Sequence, residues 1–103
     1  MISSSSSNNS ARDLTIAAFQ KHIADRYEQH DRARGTPGTW LHFSEEIGEL
    51  ARALARNDDR KNLEEEFADV VAWLCTLANI NDVDLAGAIE CKYLSGDAPK
   101  GHK

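Results

Sequence analysis

The feature that most constrains this chain is a pair of amphipathic stretches joined by a short polar turn. Apolar residues recur at helical spacing in 40–56 and again in 63–78, which predicts two helices with one apolar face each. The polar cluster 57–61 separates them. Because this connection is short, we expect the helices to lie side by side as an antiparallel hairpin. The predicted apolar faces comprise Phe43, Ile47, Leu50 and Leu54 in the first helix and Phe67, Val70 and Leu74 in the second.

Each of these helices also carries two acidic residues three positions apart. The pairs are Glu46/Glu49 and Glu66/Asp69. At 100° per residue, the first acid of each pair lies roughly 80°, and the second roughly 140°, behind the centre of the apolar face of its helix. The pair midpoints are equally distant from the turn centre, about 15 Å along each helix at 1.5 Å per residue. In both helices the acids lie on the same rotational side of the apolar face. Because the two helices run in opposite directions, both pairs then lie on the same side of the hairpin. We therefore expect the four carboxylates to converge beside the apolar seam, whereas Glu45 points away.

This convergence has two interpretations. Acidic residues on a helix flank usually form a solvated surface, and either pair alone fits that explanation. Two pairs at the same height repel each other, however, unless a cation neutralises them. Carboxylate oxygens without histidine or cysteine favour Mg²⁺ or Mn²⁺ over zinc. We predict a metal site formed by Glu46, Glu49, Glu66 and Asp69.

Composition limits the remaining functional classes. A chain of 103 residues with 41% hydrophobic content predicts one small domain with a modest core. The net charge of −5 and the scattered basic residues argue against nucleic acid as a partner. No window approaches a membrane span. Cys75 and Cys91 lack CxxC spacing, so we expect reduced thiols and a cytoplasmic location.

The rest of the chain predicts an all-α bundle of four helices within a single domain, 11–95. The Ser/Asn-rich segment 1–10 has neither the basic start nor the apolar core of a targeting signal, so we interpret it as a disordered tail. The first helix should begin near residue 11 with Ser10 as its N-cap and end near Gly35. Asp84 should cap the last helix, and 96–103 should form a flexible C-terminal tail.

The acidic motif resembles that of a known enzyme family. EEIGEL at 45–50 and EFAD at 66–69, with 16 residues between Glu49 and Glu66, are similar to the EExxE…ExxD motif of the MazG-like nucleotide pyrophosphohydrolases. The resemblance extends from about Phe19 to Tyr93. It implies an all-α fold, a homodimer or dimer of dimers, and Mg²⁺-dependent hydrolysis of nucleoside triphosphates to the monophosphate and pyrophosphate. A role in cleansing the nucleotide pool would follow.

Carried over by position, the resemblance implies the same four metal ligands that the helix geometry selects. It also implies that Glu45, the first acid of the motif, orients or deprotonates the attacking water. A capping or surface role explains Glu45 equally well, because its predicted direction is away from the seam.

Lys92 matches a family lysine that looks directed at phosphate, and it is predicted to share the buried face of the last helix. Snorkelling from the bundle edge is the alternative. The family often places asparagine and arginine after this lysine, whereas SGDA follows here at 95–98. Part of the phosphate contact is therefore missing, or supplied by Arg32 and Arg34 across a subunit boundary. A helix C-terminus, which basic residues complement, also explains these two arginines.

Trp73 and Trp40 are the candidates for stacking on a nucleobase. Trp73 is the better candidate because it lies one helical turn beyond Asp69, whereas Trp40 is more simply explained as a core residue. His22 and His42 are weaker candidates for substrate contact, since a lone histidine is usually structural or solvated.

Two other protein classes are alternatives to a nucleotide pyrophosphohydrolase. A ferritin-type di-iron bundle requires Glu-x-x-His on two helices, and the sequence has no such pair. A non-enzymatic helical interaction module that retains the fold and the acidic cluster stays open. The preferred nucleotide, the choice between dimer and tetramer, and the identity of the general base also stay open.

Overall fold

The computed structural model describes residues 13–57 and 59–96, and within these ranges the chain is all-α, as predicted. Helix α1 spans Ile16–Arg56, α2 spans Arg60–Ile80 and α3 spans Leu85–Ile89. A π-helical turn, Glu90–Leu94, continues α3. The predicted tail 1–10, and the predicted C-terminal tail beyond residue 96, lie outside the described residues.

Helix α1 is kinked where the sequence predicts a boundary between two helices. Gly35 has φ 82° and ψ 173°, a conformation that a residue with a Cβ adopts only with strain. Pro37 follows in the next helical turn, where its missing N–H is tolerated best. The first two predicted helices are therefore the two arms of α1, and the arrangement is consistent with four helical segments.

The predicted start of the first helix is wrong by several residues. Helix α1 begins at Ile16, and the hydroxyl of Thr15 accepts a hydrogen bond of 3.0 Å from the Ala18 N–H. A threonine directly before the apolar periodicity satisfies an end N–H that would otherwise lack an acceptor. Ser10, the predicted cap, lies outside the described residues.

The turns on either side of α2 use conventional capping chemistry. Asn57 ends α1 in the left-handed conformation, and the Asp59 carboxylate accepts a hydrogen bond of 2.9 Å from the Asn62 N–H at the start of α2. The predicted cap of the last helix is confirmed, because Asp84 accepts from the Gly87 N–H at 3.2 Å. These caps set the lengths of the elements that carry the acidic pairs.

The second arm of α1 runs antiparallel to α2, as predicted. The His42 ring stacks on Trp73, and further back along α1 the Thr36 hydroxyl accepts a hydrogen bond from Asn81 beyond the end of α2. Residues earlier in α1 thus contact residues later in α2, as expected for an antiparallel pair.

Gln20 joins the first arm of α1 to the segment that follows α2. Its side-chain amide donates to the Val83 carbonyl at 2.7 Å and to the Asn79 side chain at 3.0 Å. Its side-chain oxygen accepts from the Leu85 N–H at 3.0 Å. One side chain therefore holds α1, α2 and the start of α3 together.

The buried core is small. Its apolar members are Ile23, Phe43, Ala53, Cys75 and Ala78. Several predicted core residues are instead exposed: Ile47 (42%), Leu54 (53%), Phe67 (50%) and Leu74 (40%). Both apolar faces are therefore only partly covered in the single chain, because the described helices, two long and one short, supply too little surface to cover them.

Burial also sets the chemistry of Cys75. This thiol is almost completely buried, and burial raises its pKa because the charged form loses its hydration. In the part of the chain that the structure describes, no helix has an apolar run long enough to cross a membrane.

Candidate active site

The hairpin brings three of the four predicted carboxylates together. Glu46 on α1 faces Glu66 and Asp69 on α2, and one oxygen of each lies within 4.8 Å of the other two. The i,i+3 spacing puts the two α2 residues on one side of their helix, and the antiparallel pairing brings that side to Glu46. Glu49 is exposed and is not a member of this group of three. We call Glu46, Glu66 and Asp69 the acid cluster.

The acid cluster holds an excess of negative charge. The pKa of Glu46 is raised, first by burial and then by the charges of Glu49, Asp69, Glu66 and Glu45. Its Oε2 atom is buried and has no hydrogen-bond partner among residues 13–57 and 59–96. A buried carboxylate oxygen of this kind is costly without a counter-ion or a donor. The cluster is therefore suited to a proton or a divalent cation.

Glu45 lies at the surface beside the acid cluster. Its side chain is 66% exposed, and its Oε1 atom is 3.5 Å from Nδ1 of His42. The predicted direction away from the seam agrees with this exposure. His42 in turn stacks on Trp73 with ring centroids 5.0 Å apart. A contact path thus leads from Glu45 through His42 to Trp73.

Trp73 is half-buried and lines a cavity one helical turn beyond Asp69. The cavity has a volume of about 440 Å³, within the usual range of small-molecule sites. The Arg34 guanidinium lies 5.0 Å from the centroid of the Trp73 ring. A nucleobase that stacks on Trp73 would therefore meet Arg34 or His42 as well. The cavity is lined by Ile23, Tyr27, His30, Asp31, Arg34, Ala72, Trp73 and Thr76.

Arg34 is held in place by two side chains of its own helix. Its Nη2 atom donates to Oδ1 of Asp31 at 2.6 Å, and its Nε atom donates to the hydroxyl of the fully buried Thr39 at 3.0 Å. Asp31 and this use of Thr39 were not predicted from the sequence. The i,i+3 spacing of Asp31 and Arg34 beside a glycine was the signal that could have indicated the pair.

The comparison with known families bears on this geometry. The family model of the MazG nucleotide pyrophosphohydrolase domain matches residues 37–92, more than half of the chain. The chain belongs to the MazG nucleotide pyrophosphohydrolase family. The matched segment contains the whole acid cluster together with Trp73, and membership implies nucleotide pyrophosphohydrolase activity in general terms. None of the curated proteins matches the chain.

Lys92, at the end of the segment matched to the MazG domain, is not on a buried face. It is exposed, and its Nζ atom lies 5.5 Å from the centroid of the Tyr93 ring. The expected buried position is wrong because no residue of α3 or of the π-helical turn is buried in the single chain. Ala88 and Ile89, on the same predicted face, are exposed as well.

Trp40 lies near the start of the MazG match and is also not a core residue. Its side chain is 54% exposed, and its ring contacts Phe43 at a centroid distance of 5.5 Å. The simple core explanation is therefore wrong for the single chain. The His22 ring stacks on Phe19, on the first arm of α1 and outside the matched segment.

Arg32 stabilises the end of α2 in the MazG domain. Its Nη2 atom donates to the Asn79 carbonyl at 2.9 Å and to the Asp82 carboxylate at 2.7 Å, and its Nε atom donates to Glu28 at 2.6 Å. The pKa of Arg32 is raised by its hydrogen bonds to Glu28 and Asp82. Arg32 thus interacts with a helix C-terminus, although with that of α2 rather than that of its own helix.

Proposed function

We propose that this chain is a Mg²⁺-dependent nucleoside triphosphate pyrophosphohydrolase of the cytoplasmic nucleotide pool. It would hydrolyse a (d)NTP to the (d)NMP and pyrophosphate. The observation that carries the proposal is the acid cluster, with three carboxylate oxygens within 4.8 Å of one another and a buried, unpartnered Oε2 on Glu46. Family membership supplies the reaction class.

The donor set fits a hard divalent cation. Ligands on opposite sides of Mg²⁺ lie about 4.2 Å apart, at 2.0–2.1 Å from the ion, so small side-chain rotations would bring the three oxygens into range. All donors are carboxylate oxygens, which Mg²⁺ and Mn²⁺ prefer. In this proposal Glu46, Glu66 and Asp69 hold the cation, and the exposed Glu49 joins them by rotation of its side chain.

A bound Mg²⁺ would neutralise triphosphate oxygens and lower the pKa of a bound water. The chain's own residues would do the rest. Glu45 would orient or deprotonate the attacking water from its position next to His42. Lys92, at an exposed position on the last helical turn, would reach the phosphates through its flexible stem. Trp73 would contact the base, with Trp40 as a second aromatic candidate.

We also propose a homodimer or dimer of dimers. The supporting observation is the amount of apolar surface left uncovered on the single chain, including Ile47, Leu54, Phe67 and Leu74. Exposed apolar surface commonly marks an interface between protein chains. Neither a nucleic acid nor a membrane is part of this proposal.

The experiment is pyrophosphate release from a panel of canonical and modified nucleoside triphosphates with Mg²⁺ or Mn²⁺. We compare the wild type with Glu49→Gln and Asp69→Asn, each of which removes one carboxylate with little change in shape. Metal-dependent release from the wild type, lost in both variants, is the expected result. Glu64→Gln is the matched control, because Glu64 is a surface acid of α2 that pairs with Arg60 at 3.6 Å.

The alternative function is a non-enzymatic interaction module that retains the fold and the acidic metal-binding cluster. Its specific support is the SGDA segment at 95–98, where the family often has asparagine and arginine, together with the exposure of Lys92. Failure of every nucleotide in the panel to yield pyrophosphate would favour this alternative.

A further inference from the structure

Asp31 is a second buried carboxylate, distant in sequence from the acid cluster. It is only 5% exposed, and Oδ1 accepts the hydrogen bond from Arg34. Its other oxygen, Oδ2, is buried and has no hydrogen-bond partner within 13–57 and 59–96. Arg34 compensates the charge, yet one strong acceptor remains without a donor, and such groups in native proteins require an explanation.

Asp31 lies in the wall of the 440 Å³ cavity that Trp73 and Thr76 also line. Trp73 is four residues and Thr76 seven residues beyond Asp69, so they lie about 6 and 10 Å farther along the helix axis. A nucleotide with its phosphates at the acid cluster would span this interval and bring its base to the cavity. Aromatic side chains from Tyr27, His30 and Trp73 suit a planar ring.

The chemistry of Asp31 restricts which base fits. An ionised carboxylate only accepts hydrogen bonds, so Oδ2 requires an N–H donor. Cytosine carries an amino group at C4 and adenine carries one at C6, whereas uracil and hypoxanthine carry a carbonyl oxygen at the same position. The remaining N–H on the pairing edge of uracil or hypoxanthine lies directly beside that oxygen, which a carboxylate repels. Arg34 donates to Asp31 and is itself held by the Thr39 hydroxyl, so the Asp31 side chain does not turn away easily. Because Oδ2 is buried, a donor on the base contacts it only if side chains that line the cavity move.

We infer that Asp31 is a specificity-determining residue that selects nucleotides whose base carries an amino group at C4 of a pyrimidine or at C6 of a purine. This inference rests on the proposed function, because the acid cluster must hold the phosphates for the base to enter this cavity. A site that hydrogen-bonds a substrate group discriminates strongly against analogues that lack it, since a buried polar group is then left unpaired.

The test uses two matched substrate pairs, dCTP with dUTP and dATP with dITP, in which an amino group is exchanged for a carbonyl. We measure kcat/KM for pyrophosphate release with Mg²⁺. We also measure Kd for the non-hydrolysable α,β-imido analogues of dCTP and dUTP, from the change in tryptophan fluorescence. The wild type should favour each amino-bearing member by about tenfold or more, the factor that corresponds to 1.4 kcal/mol.

Asp31→Asn is the decisive variant. Its side-chain oxygen can still accept from Arg34, while its NH₂ group replaces Oδ2 and donates to a carbonyl instead. The preference within each pair should fall to about twofold or less, because the amide no longer repels the carbonyl. Asp25→Asn is the matched control: Asp25 is an exposed acid of the same helix, paired with Lys21 at 2.7 Å, and its loss should leave the preference unchanged.

The outcomes separate this inference from the proposed function. Release of pyrophosphate without preference within the pairs would overturn the role of Asp31 and leave the proposed function standing. Selective binding of the imido analogue of dCTP without hydrolysis of any nucleotide would support the role and overturn the enzymatic proposal. Selectivity that survives in a folded Asp31→Asn variant would overturn the inference. If that variant does not fold, equal wild-type kcat/KM values within the pairs would overturn it alone.

Discussion

Two acid-rich regions of this protein handle negative charge in opposite ways. Around Arg32, near the end of α2, each carboxylate meets a cation: Glu28 lies 2.6 Å from Nε and Asp82 lies 2.7 Å from Nη2. In the acid cluster, carboxylates from two helices instead face one another, and the pKa of Glu46 is raised by burial and by its acidic neighbours.

The difference separates acids whose charge a cation compensates from acids whose charge is left uncompensated. Arg32 and its partners connect α1 to the segment after α2, and exposed ion pairs of this kind contribute modestly to stability. The acid cluster destabilises the fold without a bound cation, because burial and repulsion both disfavour the charged form of Glu46. Perturbed groups of this kind concentrate at functional sites.

The largest expected effect is on catalysis. Asp69→Asn or Glu66→Gln should lower kcat/KM for pyrophosphate release at least about a hundredfold, because even partners that only support a metal ligand cost 10–100-fold when removed. Asp82→Asn removes an acid from the Arg32 region and should leave kcat/KM near the wild-type value. Steady-state rates at saturating Mg²⁺ give kcat/KM for all of these variants. An equal loss of kcat/KM in Asp82→Asn and in the acid-cluster variants would contradict the distinction between the two regions.

The next largest effect is expected for Glu46→Gln, which should stabilise the metal-free chain but weaken its binding of Mg²⁺. Without divalent ions, Glu46→Gln should raise the Tm at neutral pH, because it removes a buried, repelled charge. A carboxyl group whose pKa is raised by folding stabilises the folded state in its protonated form. That stabilisation is complete below the unfolded-state pKa and is lost as the pH rises through the folded-state pKa. The Tm difference between variant and wild type should therefore widen with rising pH.

The same variant separates metal binding from general stability. At Mg²⁺ a hundredfold above Kd, the wild type should gain about 2.7 kcal/mol of unfolding free energy, and Glu46→Gln should gain much less. Thermal scans with Mg²⁺ and with chelator measure this difference. A lower Tm for Glu46→Gln than for wild type in chelator at neutral pH would contradict the repulsion argument.

The smallest expected effect concerns the neutralised region. Arg32→Ala should lower the Tm, because the carbonyls at the end of α2 and two carboxylates lose their donor, while the Tm gain from Mg²⁺ stays at its wild-type size. Arg52→Ala, an exposed arginine on the second arm of α1, is the control and should change the Tm less. Loss of the Mg²⁺ response in Arg32→Ala would show that the two regions are coupled.

Helical periodicity was sufficient to predict the hairpin and the meeting of Glu46 with Glu66 and Asp69. These predictions depend only on a constant rotation per residue and on a short turn, both of which are local properties. The same logic failed for Lys92, because burial depends on which segments pack against a helix, and no residue of α3 or of the π-helical turn is buried.

Other features depend on contacts between distant segments. The role of Arg32 requires that the first arm of α1 pack beside the end of α2, which the kink at Gly35 permits. The unpartnered oxygen of Asp31 depends on the orientation of one side chain within a cavity. Ile47 and Phe67 are exposed because the short α3 covers little of the apolar surface of the other two helices. Helical periodicity does not predict how much of an apolar face other segments cover.

The most direct test of the acid cluster as a cation site is a titration of Mn²⁺ into the nucleotide-free chain, with free Mn²⁺ measured by electron paramagnetic resonance. We predict saturable binding that Mg²⁺ displaces, that Glu46→Gln and Asp69→Asn abolish, and that Asp82→Asn retains. Absence of saturable binding to the wild type, or equal binding by Glu46→Gln, would contradict the account.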